Sequence, residues 1–339
     1  MGQRGLFDTE DTLVELIKMG DPLAKLNQVI DWNIFRSDLN RALAKERKSQ
    51  AGRPPFDYLM MFKILILQTM YGLSDAQTQY QILDRHTFKR FLGLGDESLI
   101  PDEKTIWNFR EVLNKQELGP KLFKKFDSYL NQAGYSAKKG QIVDASFVEV
   151  PRQRNSHEEN ETIKKGGTPP EWEKEPAKLR QKDVDARWTQ KNGENFYGYK
   201  DHVNVDVKHK LIRDFEVTPA NVHDSQVLDD LMDADNSRKA LWADSAYSSR
   251  ETDRRLKRRK IVNNVHRRGN RHSPLSMFQQ LLNRRKSQIR VRVEHVFGSL
   301  ECMTGMFIRG IGLSRSKTRI ALMNLVYNLR RYAYLANSA

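Results

Sequence analysis

From Gln141 to Val150 the chain sets Ile142, Val143, Phe147, Val148 and Val150 among a few polar positions. β-Branched and aromatic residues at that density predict a strand, bounded by Gly140 and Pro151. Asp144 lies inside it. A carboxylate within a buried strand is costly unless it is hydrogen-bonded, paired or bound to a metal. Taken alone, Asp144 reads as a hydrogen-bonded structural aspartate.

Upstream the apolar spacing is helical. Leu13, Leu16 and Ile17 fall at i, i+3 and i+4. Leu23 and Leu26 continue a second helix that Asp21 caps and Pro22 begins. Lys45 to Lys48 is a charged end before a loop at Ala51-Gly52-Arg53-Pro54-Pro55. Asp57 to Gln68 is a strongly apolar helix, and Ser74-Asp75-Ala76-Gln77 is a capping-box pattern that starts another. A short turn over His86 to Phe91 stops at Gly93, Pro101-Asp102 opens a helix through Phe109 and Leu113, and Lys121 to Ala133 adds one more. Helix, tight turn, helix and a further helix bearing Lys104, Thr105 and Arg110 suits a helix-turn-helix-like DNA reader. A plain helical bundle fits the same pattern.

Downstream the period changes to two. His202 to Val207 and Leu211 to Thr218 alternate, which predicts a hairpin beside the Asp144 strand. A helix is expected from Ser225 to Met232, a short apolar strand from Lys239 to Asp244, and a charged helix after Ser249. Strand, strand, strand, helix, strand, helix predicts an α/β ribonuclease H-like core. An α-helical N-terminal domain precedes it, with the division at 1–135 and 136–339. The polar stretch 151–195, with Gly166-Gly167 and Pro169-Pro170, reads as an exposed loop in which Trp172 and Trp188 pack on the core. Thr318 to Leu335 closes the chain as an amphipathic helix.

Charge changes the picture. The net charge is +15, which points to a polyanionic partner, DNA or RNA. Arg254 to Arg292 is dense in basic residues, among them Arg258, Arg259, Arg267, Arg268, Lys286, Arg290 and Arg292. A run so one-signed favours phosphate contact over a merely solvated face. The single Cys302 excludes an intrachain disulfide and a Cys-based zinc site. No apolar run approaches a membrane span and the first residues are not a signal peptide, so a cytoplasmic protein is expected.

Three carboxylates then stand out. Asp144 lies in one strand, Asp244 ends another, and Glu294 rides on a helix spaced by Ile289, Val293, Val296 and Leu300. Clustered without a cation they would repel, so Mg²⁺ or Mn²⁺ is expected among them. Two such ions about 4 Å apart activate water or a 3′-hydroxyl and stabilise the leaving oxygen of a phosphodiester. Asp224 competes for the second position. It follows His223 before a helix, where an N-cap role suffices, whereas Asp244 ends a strand, where α/β folds hold ligands. Asp206 is the next competitor, and His202 and His223 read as hydrogen-bonded structural groups.

These motifs resemble the DDE transposases of bacterial insertion sequences, specifically the insertion sequence five group. The resemblance rests on Arg53 to Leu113, Ile142-Val143-Asp144-Ala145-Ser146, Tyr199 to Ser225, Ala243-Asp244-Ser245-Ala246-Tyr247, and Arg290 to Gly298. It implies Asp144, Asp244 and Glu294 as the catalytic triad and as the ligands of two metal ions. It also implies a homo-oligomer, a dimer or higher, that binds terminal inverted repeats and joins the freed ends to target DNA at the bacterial nucleoid. Related enzymes carry a Tyr-x2-Arg-x3-Glu-x6-Lys signature. Arg290 and Glu294 match it, but Ser287 stands for Tyr and Glu301 for Lys, leaving the terminal phosphate contacts to Lys286, Arg292 or Arg309. A catalytically inactive or repurposed DNA-binding protein, or a nuclease that cuts without strand transfer, are the competing readings.

Overall fold

In the computed structural model, which describes residues 8–44, 54–95, 97–232, 236 and 240–337, side-chain caps set many of the helix boundaries. Asp21 accepts from the Leu23 amide with Pro22 at the first position of Pro22–Val29, and Asp57 caps Tyr58–Met70. Ser74 and Gln77 form the reciprocal capping box of Asp75–Asp84. Gly93, with φ 74°, ends His86–Leu92, and Asp102 caps Glu103–Lys115. The charged end at Lys45–Lys48, the loop residues Ala51–Arg53 and the strand position Lys239 lie outside the described residues.

By its contacts the chain divides into two units, Met1–Tyr129 with Leu325–Ala339 and Leu130–Asn324. The first is helical. Phe35 packs at ring distances of 5.0 Å from Phe62 and 6.2 Å from Phe126, and all three are buried. Arg110 departs from its expected role as a DNA reader. Its guanidinium is buried and grips Asp75 at 2.6 and 2.8 Å and Gln68 at 2.9 Å. Lys104, Trp107 and Asn108 are the exposed side chains of that helix. Arg110 braces three helices because a fork of donors satisfies a half-buried carboxylate better than solvent can.

The second unit is built on a six-stranded sheet. Its strands are β1 (Gln141–Glu149), β2 (Arg187–Lys191), β3 (Glu194–Asp206), β4 (Ile212–Pro219), β5 (Ala240–Trp242) and β6 (Val262–Asn263). β3 pairs antiparallel with β1, and on its other edge with β2 and then β4. β1 pairs parallel with β5, and β5 with β6. The expected hairpin and the Asp144 strand are therefore neighbours. The helix expected from Ser225 is shorter, a 3₁₀ turn Asp224–Val227 followed by Leu228–Leu231.

The stretch 151–195, expected as an exposed loop, is folded. It carries His157–Lys164, Pro170–Lys174, Pro176–Leu179 and β2. Trp172 is fully buried, its indole N–H donating to Glu159 at 2.6 Å. Trp188 stays half exposed, 5.0 Å from the Tyr197 ring. A single buried indole and local caps organise a segment whose polar composition looks like a linker.

Two buried polar pairs generate tests. Arg110→Met strips the partner from Asp75 and should lower stability by about 3 kcal/mol, the lower range for a broken buried ion pair. Arg110→Met with Asp75→Leu should regain part of it, and equal melting of the single variant and the parent protein would refute the brace. In the second unit Asp201 is wholly buried, with Asn324 Nδ2 donating to Oδ1 at 3.1 Å. Asp201 Oδ2 and Asn324 Oδ1 both lack partners. Burial pushes the Asp201 carboxyl up to about 7, so the folded chain holds its proton, which can bridge those two oxygens. Stability from this group is complete below the ordinary carboxylate range near 4 and is lost as pH rises to 7. Asp201→Asn should match the parent melting temperature near pH 4 and exceed it above pH 7. A pH-independent difference would sink this account.

Candidate active site

The parallel register of β1 and β5 pairs Gln141 with Leu241 and Ile142 with Trp242. Carried two residues further, it sets Asp144 beside Asp244. β5 ends there because Asp244 turns the chain, accepting from the Ala246 amide at 2.8 Å to cap the 3₁₀ turn Ser245–Tyr247. Asp144 is buried and accepts from the Ala145 amide at 2.9 Å. Burial raises its pKa to about 6, and the Asp244 charge adds to that rise while Arg290 and the Ala145 amide oppose it.

Glu294 reaches the same place from the long helix Met277–Thr304, which buries Val293, Val296 and Leu300. Arg290, one turn earlier, donates to Asp144 at 2.6 Å and to Glu294 at 3.0 Å. One guanidinium thus joins the β1 carboxylate to the helix carboxylate. Among the described residues no group of three His, Cys, Asp or Glu side chains is gathered closely enough to hold a metal ion.

The competitors are otherwise engaged. Asp224 pairs with Lys200 at 2.7 Å, and His223 rather than Asp224 caps the following turn. Asp206 closes the β3–β4 turn through the Lys208 and His209 amides. His202 is fully buried, 2.8 Å from Thr218 Oγ1, and burial lowers its pKa to about 4.

The basic residues divide. Arg258, Arg267 and Arg268 are exposed, and so is Arg309. Arg259 faces Asp229 at 3.5 Å, Lys286 donates to the Val265 carbonyl at 2.8 Å, and Arg292 donates to the Val207 carbonyl at 2.6 Å. Ser287 donates to the Asn283 carbonyl at 3.0 Å.

Tyr247 was not singled out from the sequence. Its ring is fully buried among Val143, Leu241, Leu256 and Val265. Its hydroxyl has no partner, although it feels the charges of Asp224, Asp144 and Asp244, which with burial hold its pKa well above the ordinary range. Only its place three residues after Asp244 hinted at a part in the site.

A family model of the transposase DDE domain matches residues 135–329. The chain belongs to the DDE transposase family. A transposase domain (DUF772) also matches residues 11–112. The chain is similar to piggyBac transposase in the cryo-EM structure of its synaptic complex with hairpin DNA, at 12% identity over 99% of this chain and 77% of that one, with a TM-score of 0.43. That likeness is too distant to argue from. The mixed sheet of this transposase, with its flanking helices, fits a ribonuclease H-like core. No helix among the described residues is long and apolar enough to cross a membrane.

The donor set of the transposase suits a hard divalent cation, being carboxylate oxygen throughout. The raised pKa of Asp144 says that the pair lacks positive charge, and Arg290 supplies part of it. In metal-free protein Asp144 should titrate near pH 6, with stability falling as pH rises from about 4 to 6 because the folded state keeps the proton longer. Arg290→Gln removes the largest opposing charge and should move that titration higher. Infrared spectra of ¹³C-aspartate-labelled protein read both, and an unshifted midpoint in the variant would count against the pairing.

Proposed function

We propose that this transposase cuts and joins DNA at the ends of an insertion sequence of the insertion sequence five group, with Asp144, Asp244 and Glu294 as its catalytic carboxylates. The observation that carries the reading is the alignment of Asp144 with Asp244 at the end of β5, with Arg290 linking Asp144 to Glu294. The three carboxylates would hold Mg²⁺ or Mn²⁺, two ions in the working site. Bound there, the ions supply a metal-activated water or 3′-hydroxyl and stabilise the leaving oxygen.

The chain's own residues do the rest. Asp244 is oriented by the Ala246 amide and Asp144 by the Ala145 amide, so both carboxylates are held before substrate arrives. The exposed Arg258, Arg267 and Arg268 hold phosphates of the terminal inverted repeats or target DNA through charge. Arg259, Lys286, Arg290 and Arg292 join them only by exchanging their present partners. The N-terminal helices add end recognition through Lys104 and Asn108 rather than Arg110. A homodimer or larger synaptic assembly at the nucleoid completes the reading.

Glu294→Gln is nearly isosteric and exposed enough to leave folding intact. It should keep binding to duplex DNA from the repeats flanking the gene, while cleavage in Mg²⁺ drops by several orders of magnitude. Asp144→Asn and Asp244→Asn should behave alike, EDTA should abolish cutting by the parent, and Asp224→Asn should lose less. A dead Asp224→Asn beside an active Asp244→Asn would overturn the assignment. Binding without any cutting by the parent would favour a repurposed DNA-binding protein, and cutting without a joined product a plain nuclease.

A further inference from the structure

A buried hydroxyl without a partner costs about 1–3 kcal/mol relative to a satisfied one, so such a group in a core calls for a reason. Phenylalanine would fill the Tyr247 position with the same ring. The ring is anchored on every side by apolar neighbours, Val143 and Leu241 of β1 and β5 among them. Its backbone is tied to Asp244, whose carbonyl accepts from the Tyr247 amide at 3.3 Å. The hydroxyl therefore cannot turn to solvent, and the charges that reach it are those of Asp224, Asp144 and Asp244. Of these carboxylates, Asp144 has both oxygens engaged, by Ala145 and Arg290, and Asp224 is held by Lys200. Asp244 has its cap bond to Ala246 on Oδ1 alone.

We propose that Tyr247 is a positioning residue, whose hydroxyl donates to the Asp144–Asp244 carboxylate pair and orients it once the pair holds its divalent cation. The inference rests on the carboxylate reading above. It explains an orphan that is unfavourable in the metal-free protein: the donor is stored for a state in which the carboxylates are fixed. A hydrogen bond from behind orients a ligand oxygen and fixes which lone pair faces the ion. Tyr247 touches neither substrate nor the reacting atoms.

The test compares the full-length parent protein with Tyr247→Phe in two measurements. Free Mn²⁺ is counted by electron paramagnetic resonance during a titration, and melting is followed without metal. The expected pair of results has opposite signs. Mn²⁺ affinity should weaken about tenfold or more, as for other groups that orient metal ligands, while the metal-free variant melts no lower than the parent. Asp224→Asn should leave the Tyr247→Phe effect in place. Equal Mn²⁺ affinity in parent and variant would overturn the proposal, as would a metal-free variant that melts lower, since that marks a structural hydroxyl. Loss of the effect in the Asp224→Asn background would also overturn it, because the phenol then serves Asp224. The underlying reading is judged separately. If Asp244→Asn binds Mn²⁺ as tightly as the parent, the carboxylate assignment itself fails and the role of Tyr247 falls with it.

Discussion

The second unit depends on a repulsion that its sheet imposes. Neighbouring strands lie about 4.8 Å apart, where two like charges repel by about 3 kcal/mol at an effective dielectric of 20. The β1–β5 register puts Asp144 and Asp244 in that relation, and burial of Asp144 adds a desolvation cost. The close approach of the strands is itself enforced. Gly140, at φ 96°, opens β1, and a Cβ there would come within 2.4 Å of the Trp242 ring. Any larger residue would push β5 away and separate the carboxylates. Arg290 relieves the repulsion by giving one guanidinium to Asp144 and Glu294, which also pins the long helix to the sheet.

Much of this was legible in the sequence. Local signals carry helix ends, so Asp21-Pro22, the Ser74–Gln77 box and Asp102 read correctly without any tertiary knowledge. Period-two alternation carried the β3–β4 hairpin. What stayed hidden depends on contacts far apart in the chain. Arg110 looked like a surface base because nothing local tells that Asp75 and Gln68 meet it. The stretch 151–195 looked like a linker because its order comes from one indole and a few caps, not from periodicity. β6 is a two-residue strand, too short to leave a pattern. The carboxylates were visible as outliers of burial, but Tyr247 was not, since a tyrosine in an apolar cluster is ordinary until its hydroxyl is seen to lack a partner.

The choice between Asp224 and Asp244 turns on charge already spent. Asp224 faces Lys200 at 2.7 Å, and the same ammonium donates to the Val222 carbonyl at 2.8 Å. A carboxylate with a permanent half-buried cation has little left to offer another. Asp244 has backbone donors to one oxygen and no cation bonded to it, while its neighbour Asp144 keeps a raised pKa despite Arg290. Unneutralised charge, more than proximity, marks where an incoming cation would gain most.

The same logic qualifies the basic run. No Asp or Glu stands between Asp253 and Glu294, which on composition alone reads as a continuous phosphate footprint. In the fold part of it is internal wiring. Arg255 and Arg259 hold Asp229, Lys286 holds the Val265 carbonyl, and Arg292 holds the Val207 carbonyl. Asn283 exchanges two hydrogen bonds with the Arg267 backbone, at 3.1 and 3.0 Å. These bonds fasten the first half of the Met277–Thr304 helix to the loop before it and thereby fix the approach of Glu294 to β1. Some of the cations thus build the site, and those left exposed, Arg258, Arg267 and Arg268, carry the field around it. The +15 balance is the sum of two tasks, and only the second depends on a polyanion being present.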